Sequence, residues 1–219
     1  MPSRGLNRAL WALVLVAIIV FGLKARDQFE AVFVGVGKLD VRVAAEDDTV
    51  FLRWRGRIEA PMANRIAAAF EQHKNEQRRF VLSLSSPGGS LDQGAEVVRL
   101  LRRIGETHKI DTVVEGRSVC ASMCVPVYLQ GQHRTASEQA RFMFHEVSFH
   151  EYFSQEDSDV PAAATARETD KLFSRYFASA GVPDSWIRSV RAAMTGGNDI
   201  WKTAPELIDE NAGIVQQVF

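Results

Sequence analysis

Three side chains of this sequence, Ser122, His145 and Asp199, form a set that could perform acyl transfer. A neutral hydroxyl becomes a nucleophile when an imidazole removes its proton, and a carboxylate bonded to the ring holds the required tautomer. Ser122 lies in an Ala-Ser-Met run, His145 ends an Arg-Phe-Met-Phe-His run at 141–145, and Asp199 shortly precedes an Ala-Pro-Glu run at 204–206. We therefore predict a serine nucleophile, a histidine general base and an orienting aspartate.

A further segment could stabilise the negative charge that develops in such a reaction. Residues 86–89 (Ser-Pro-Gly-Gly) follow an apolar run at 80–84 that is typical of a buried parallel strand. Glycine has no Cβ, so backbone N–H groups beside it can reach an oxyanion. We predict that the N–H groups of Gly89 and Met123 form the oxyanion hole. The alternative is that Gly88 and Gly89 only form a tight turn.

Each predicted catalytic residue has a structural alternative. Ser122 could serve only as a helix N-cap, and Asp199 could cap or form a turn after the Gly-Gly-Asn run at 196–198. His133 and His150 are the competing candidates for the general base. The sequence alone does not distinguish these alternatives from the predicted catalytic roles.

Composition limits the class of protein. A chain of 219 residues can form one domain with a substantial core and a small appendage. Its net charge of −1 gives no reason to expect a nucleic-acid partner. Its only cysteines, Cys120 and Cys124, lack further Cys or His at metal-binding spacing. We expect no metal and no other cofactor.

The same two cysteines flank Ser122 at a spacing that puts them on one face if the segment is helical. In an exported protein they could form a disulfide. Otherwise they are two small buried residues that pack a helix under the nucleophile. The spacing leaves both possibilities open.

The N-terminal region contains an uncharged apolar run at 9–23. The run is shorter than the roughly 20 residues of a full membrane span and has the length of a signal peptide's apolar core. Lys24 and Arg26 follow it without a small-residue cleavage site, and their side chains can reach the membrane interface. We predict an uncleaved signal anchor over 1–26; a cleaved signal peptide is the alternative. A buried core helix fits poorly, since the run is apolar on all faces.

Charge only slightly favours one orientation of this anchor. Arg4, Arg8 and the α-amino group precede the run, whereas Lys24 and Arg26 follow it. The α-amino group favours an N-terminus inside, which exports the rest of the protein.

The remaining sequence alternates predicted strands and helices, which indicates an α/β fold with a largely parallel sheet. Strands are predicted at 49–54, 80–84, 110–114, 135–137, 142–144 and 214–218. Helices are predicted to begin at Pro61, after Gly89, at Ser122 and at Pro205, and to cover 161–180 and 183–194. The candidate residues follow strands, where such folds place ligands.

These features, taken together, resemble the Clp protease proteolytic subunit of the ClpP/crotonase superfamily. The matching segments are Phe-Leu through Gly-Arg-Ile-Glu at 51–59, Met-Ala-Asn at 62–64, Ser-Pro-Gly-Gly at 86–89, Ala-Ser-Met at 121–123 and Arg-Phe-Met-Phe-His at 141–145. The resemblance implies stacked ββα units and a Ser-His-Asp triad of Ser122, His145 and Asp199. It further implies a serine peptidase that forms an acyl-enzyme, acts on peptides or unfolded proteins and assembles into a homo-oligomer.

The chain also departs from that family. Met1–Asp27 stands in place of the family's pore loops, which argues against docking to an AAA+ unfoldase and favours activity without ATP. Glu146 to Ala180 differs from the handle that mediates ring stacking, so the resemblance does not predict the oligomer size. We predict a signal anchor at 1–26, a linker at 27–46, with a short strand as the alternative for that range, and a peptidase domain at 47–219. The chain resembles membrane-associated ClpP-like proteins, which predicts a single-pass protein of a bacterial inner membrane with a periplasmic catalytic domain.

Three other functions compete with this prediction. A Ser-Lys dyad of the signal-peptide-peptidase type would use Lys171 as the base and make His145 dispensable. Crotonase-type acyl-CoA chemistry would use the oxyanion hole but does not explain Ser122 and His145. A non-catalytic, membrane-tethered scaffold would retain only the fold.

Overall fold

The computed structural model describes residues 37–76, 79–147 and 162–219. The strands are β1 (Lys38–Ala44), β2 (Thr49–Arg55), β3 (Arg79–Ser85), β4 (Lys109–Val114), β5 (Val119–Ala121), β6 (Arg134–Ala136), β7 (Arg141–Phe144), β8 (Ile200–Thr203) and β9 (Gln217–Val218). The helices are α1 (Met62–His73), α2 (Leu91–Gly105), α3 (Cys124–Tyr128), α4 (Ala162–Leu172), α5 (Asp184–Met194) and α6 (Ala204–Asp209). A π-helical turn (Phe173–Phe177) and a 3-10 turn (Ala178–Ala180) follow α4, and another 3-10 turn (Ala45–Asp47) joins β1 to β2.

The larger sheet has six strands in the order β1-β2-β3-β4-β6-β9. Strands β2, β3, β4, β6 and β9 pair in parallel, and β1 adds to the edge antiparallel to β2. The sheet is therefore mixed, and the predicted α/β class with a mainly parallel sheet is confirmed. Because β1 pairs with β2 along its whole length, the fold includes part of the range 27–46 that was predicted to be a linker.

Alternate apolar side chains on one face of strands β2 and β3 contribute to the core. Phe80, Leu82 and Leu84 of β3 have no exposed surface, as the apolar run at 80–84 predicts. Helix α2 packs its apolar face on the core through Val97 and Leu101, and both side chains are fully buried. Each such side chain contributes about 1.5–3 kcal/mol to folding.

A second, smaller sheet has three strands in the order β5-β7-β8. Strand β5 runs parallel to β7, with Ala121 opposite Met143, and β8 runs antiparallel to β7, with Phe144 opposite Ile200. The sequence did not predict β5 or β8, because strands this short show no clear periodicity. This small sheet positions the candidate site.

Two predicted helices differ in detail from the structure. The helix predicted from Ser122 begins only at Cys124, because Ser122 has a φ of 53° and lies outside the helical region. The predicted helix over 161–180 continues after α4 as the π-helical and 3-10 turns. The predicted final strand over 214–218 is shorter, since only Gln217–Val218 pairs with β6.

Within the ranges 37–76, 79–147 and 162–219, no helix combines the length and apolar character needed to cross a bilayer. The predicted anchor at 9–23 and the competing base His150 lie outside the described residues.

Candidate active site

Ser122 lies on a strained turn between β5 and α3. Its φ of 53° is in the left-handed region, which costs a non-glycine residue about 1–2 kcal/mol. Two backbone hydrogen bonds hold the turn: the Ser122 N–H donates to Met143 O at 2.9 Å, and the Val125 N–H donates to Ser122 O at 3.0 Å. A strained strand-to-helix turn is one way in which α/β folds present a nucleophilic serine.

The Ser-Pro-Gly-Gly loop at 86–89 is fixed directly against this turn. The Ser86 N–H donates to Val119 O at 2.7 Å, and the Ala121 N–H donates to Ser86 O at 3.0 Å. Gly88 has a φ of 100°, and a Cβ there would lie 2.7 Å from the Ser122 Cβ. Only glycine therefore allows the loop to approach Ser122 this closely.

Gly89 and Met123 present the two N–H groups that were predicted to bind an oxyanion. The backbone on either side of Gly89 is tied to Ile58, since the Ile58 N–H donates to Gly88 O at 2.7 Å and the Ser90 N–H donates to Ile58 O at 2.9 Å. Among the described residues, the N–H groups of Gly89 and Met123 have no hydrogen-bond acceptor. Both are therefore available to a ligand.

The Met123 side chain points away from this face. It is 1% exposed and packs on α2 at Gly94, where a Cβ would lie 2.3 Å from the Met123 Cγ. The contact with Gly94 fixes the position of Met123, whose backbone N–H was predicted to bind an oxyanion. No pattern in the sequence predicted this contact.

The three predicted catalytic residues emerge at one edge of the small sheet. Ser122 follows the carboxyl end of β5, and His145 follows the carboxyl end of the parallel strand β7. Asp199 directly precedes the amino end of β8, which is antiparallel to β7. Because the strand order is β5-β7-β8, the residues lie in the spatial order serine, histidine, aspartate.

The side chains do not all face one cavity. Ser122, His145 and Gly89 line a cleft of about 180 Å³, whereas Asp199 is exposed and does not line it. Among the described residues, no hydrogen bond joins His145 to Ser122 or to Asp199. Catalytic hydrogen bonds often tighten only when substrate binds.

One wall of the cleft is apolar. Leu91 of α2 and Leu172 at the end of α4 contribute to it, with Phe173 and Phe177 from the π-helical turn. The two phenylalanine rings stack with their centroids 4.2 Å apart. A π-helical turn at a site of this kind is a common functional feature, and helical periodicity does not reveal it.

Two hydrogen bonds support the segment that follows His145. The buried Val147 N–H donates to Thr169 Oγ1 of α4 at 2.9 Å, and Thr169 is 2% exposed. Glu146 accepts a hydrogen bond from the Gly197 N–H at 3.3 Å, which links this segment to the loop that carries Asp199. Sequence analysis identified neither Thr169 nor Glu146.

Cys120 and Cys124 form a disulfide, and both residues have no exposed surface. The prediction that they lie on one helical face if the segment is helical does not apply, because Cys120 belongs to β5 and Cys124 begins α3. Their Cα atoms are 5.2 Å apart across the Ser122 turn. The disulfide therefore encloses Ser122 and the Met123 N–H in one covalent ring.

His133 and Lys171, the other candidates for the general base that the structure describes, lie outside the cleft. The His133 ring contacts Asp111 Oδ1 at 3.0 Å, and its side chain is 71% exposed. Lys171 pairs with Glu168 at 2.6 Å on the outer surface of α4. Neither residue lines the cleft. Among the described residues, no cluster of His, Cys, Asp and Glu could hold a metal ion.

Comparisons with known proteins identify the fold and the family of this chain. A mutant of ClpP1 from Listeria monocytogenes has a similar fold, with a TM-score of 0.56 and 19% sequence identity over 80% of this chain and 92% of that chain. The comparison with curated proteins gave no match. A family model described as Clp protease matches residues 40–219. The match covers most of the chain, so the chain belongs to the Clp protease family, as the resemblance predicted.

Proposed function

We propose that this protein is a serine endopeptidase in which Ser122 is the nucleophile, His145 the general base and Asp199 the residue that orients the base. The observation that carries the proposal is their arrangement at one end of the small sheet, with His145 directly after the central strand β7. A central histidine can contact a serine on one side and an aspartate on the other, as a triad requires.

The reaction follows from these positions. His145 removes the proton from Ser122 Oγ, which attacks the carbonyl carbon of a peptide bond. The N–H groups of Gly89 and Met123 donate hydrogen bonds to the resulting oxyanion. His145 then protonates the leaving amine, and a water molecule, deprotonated by the same histidine, hydrolyses the acyl-enzyme. These steps consume no ATP.

The cleft indicates the kind of substrate. Its apolar wall, with Leu91, Phe173 and Phe177, favours a peptide with an apolar side chain next to the bond that is cleaved. A cleft of about 180 Å³ holds a side chain and a short stretch of backbone rather than a folded domain. We propose short or already unfolded polypeptides as substrates, processed by a homo-oligomer.

We further propose that residues 9–23 anchor the protein in a bacterial inner membrane and that the catalytic domain is periplasmic. The apolar run and the absence of a cleavage site after it support the anchor. The disulfide supports export, because such bonds persist in oxidising compartments. An alkaline phosphatase fusion after Phe219 tests the topology; fluorescence of a green fluorescent protein fusion without phosphatase activity would refute export.

A fluorophosphonate probe, which reacts with activated serines, tests the catalytic proposal. The wild-type chain should be labelled at Ser122 and should hydrolyse an unfolded protein, and Ser122→Ala should do neither. Absence of labelling in the wild type would favour a non-catalytic scaffold or crotonase-type chemistry.

The choice of base is tested separately. His145→Ala should lower kcat about 10⁴-fold or more, because the members of a triad act as one unit. Lys171→Ala should retain full activity, since its ammonium group pairs with Glu168 outside the cleft. The opposite ranking would assign a Ser-Lys dyad.

A further inference from the structure

We infer that the Cys120–Cys124 disulfide is a positioning element of the active site, which holds Ser122 and the Met123 N–H in their catalytic geometry. The inference rests on the proposed role of Ser122 as the nucleophile. It assigns a function to two residues that lie outside the triad and the oxyanion hole.

The turn between the cysteines needs such support. Ser122 is held at a φ of 53°, which is unfavourable for a residue with a Cβ, and such a conformation persists only when its surroundings over-determine it. The hydrogen bonds to Met143 and from Val125 fix the backbone of Ser122 itself. The disulfide adds a covalent link across the whole turn, from the middle residue of β5 to the start of α3.

The two ends of this link are anchored differently. Cys120 lies within β5, and its backbone pairs with Phe142 of β7. It also forms a backbone bridge to Ser86 of the Ser-Pro-Gly-Gly loop. Cys124 begins α3, a helix of only five residues, which is too short to be stable alone. The bond therefore ties a short helix to the better anchored strand, and the Met123 N–H lies directly before the tied end of that helix.

Burial determines how the bond can respond to a reductant. Both cysteines have no exposed surface, and a thiol must reach a sulfur atom to break a disulfide. The bond should therefore resist reduction in the folded state and should form during folding. When it forms, the two thiols lose two protons and two electrons to a disulfide oxidant, which becomes two thiols. The fully active enzyme should consequently arise only where such an oxidant is present.

The wild-type chain supplies its own matched control, because reduced and oxidised forms differ only in the bond. The full chain is unfolded in guanidinium chloride together with dithiothreitol and is then refolded either with the reductant or, after its removal, with oxidised glutathione. The reduced form should fold, and its kcat should be about tenfold to hundredfold lower, as expected for a small displacement of catalytic groups. Its KM should change much less, because the apolar wall of the cleft is unaffected. Unfolding the reduced form again and refolding it with oxidised glutathione should restore kcat.

A double variant, Cys120→Ser with Cys124→Ser, separates the bond from other effects of the reductant. It should show the low kcat of the reduced wild type with or without glutathione. Incubation of the folded, oxidised wild type with dithiothreitol should leave kcat unchanged for far longer than the reductant needs to cleave an exposed disulfide. Equal kcat in the reduced and oxidised forms would overturn the inference, and so would a reduced chain that does not refold at all.

Hydrogen exchange tests the same point without activity. The amides of Ser122 and Val125 should exchange faster in the reduced form, whereas amides in β3 should be unchanged. Equal exchange in both forms would overturn the inference even if the enzyme is active. If the oxidised chain is neither labelled by fluorophosphonate nor active, the proposed function fails, and faster exchange would still show that the bond holds the turn.

Discussion

Phe144 of β7 pairs with Ile200 of β8 in an antiparallel register. The residue after Phe144 is His145, and the residue before Ile200 is Asp199. Because antiparallel strands run in opposite directions along the chain, a continuation of this register by one position would set His145 opposite Asp199. The pairing of these two apolar residues is therefore a basis for proposing Asp199 as the carboxylate that orients His145.

This relationship predicts the effect of removing the carboxylate. Asp199→Asn should lower kcat about 10⁴-fold, because an amide favours the wrong tautomer of the imidazole. Asp209→Asn is a matched control, since Asp209 is also exposed but lies at the end of α6. Steady-state kinetics of the two purified variants measure the difference. Equal activity in both would show that Asp199 does not orient His145.

Two substitutions of Ser122 test both its role as the nucleophile and the strain in its backbone. Ser122→Ala and Ser122→Gly should both abolish hydrolysis and fluorophosphonate labelling, since each removes the nucleophile. Alanine retains the cost of a φ of 53°, whereas glycine adopts this conformation without strain. The glycine variant should thus be at least as stable to heat as the alanine variant, which thermal unfolding measures. A clearly less stable glycine variant would mean that the backbone of Ser122 is not strained.

A substitution at Gly88 tests the close approach of the Ser-Pro-Gly-Gly loop at 86–89 to Ser122. Gly88→Ala would place a Cβ 2.7 Å from the Ser122 Cβ, so Ser122 or the loop must move and kcat should fall at least about hundredfold. Gly116 is the matched control, because it also has a positive φ, of 55°, but a Cβ added there would meet nothing within 4 Å. Gly116→Ala should cost about 1 kcal/mol of stability and leave kcat unchanged. Similar losses of kcat in both variants would attribute the effect to backbone strain alone.

The sequence predicted the longer elements, but not the small sheet whose strand ends position Ser122 and His145. The apolar run in β3 and the spacing of Val97, Leu101 and Ile104 in α2 are strong signals, and the structure confirms both. Strands β5 and β8 have three and four residues, too few to show an alternating pattern. Their pairing with β7 is a property of the folded chain rather than of any one segment.

The disulfide shows a second limit of sequence analysis. In a continuous helix, the spacing of Cys120 and Cys124 would place both residues on one face. In a strand followed by a turn and a helix, the same spacing places them on either side of the turn. In the structure this segment is a strand, a turn and a helix, because the β5 backbone pairs with β7 and Ser122 lies outside the helical region. Local propensity could not predict this, since the interactions that decide it come from residues far along the chain.

Thr169 gives the last prediction, because its hydroxyl oxygen accepts the hydrogen bond of the buried Val147 N–H, two residues after His145. Thr169→Val keeps the shape but leaves this N–H without an acceptor, which should cost about 1–3 kcal/mol of stability. The segment that carries His145 should then shift and lower kcat about tenfold, with a smaller change in KM. Thr169→Ser keeps the oxygen and should retain most of the activity and stability. Kinetics and thermal unfolding of the two variants decide the matter: if valine matches serine in kcat, Thr169 stabilises α4 without positioning the base.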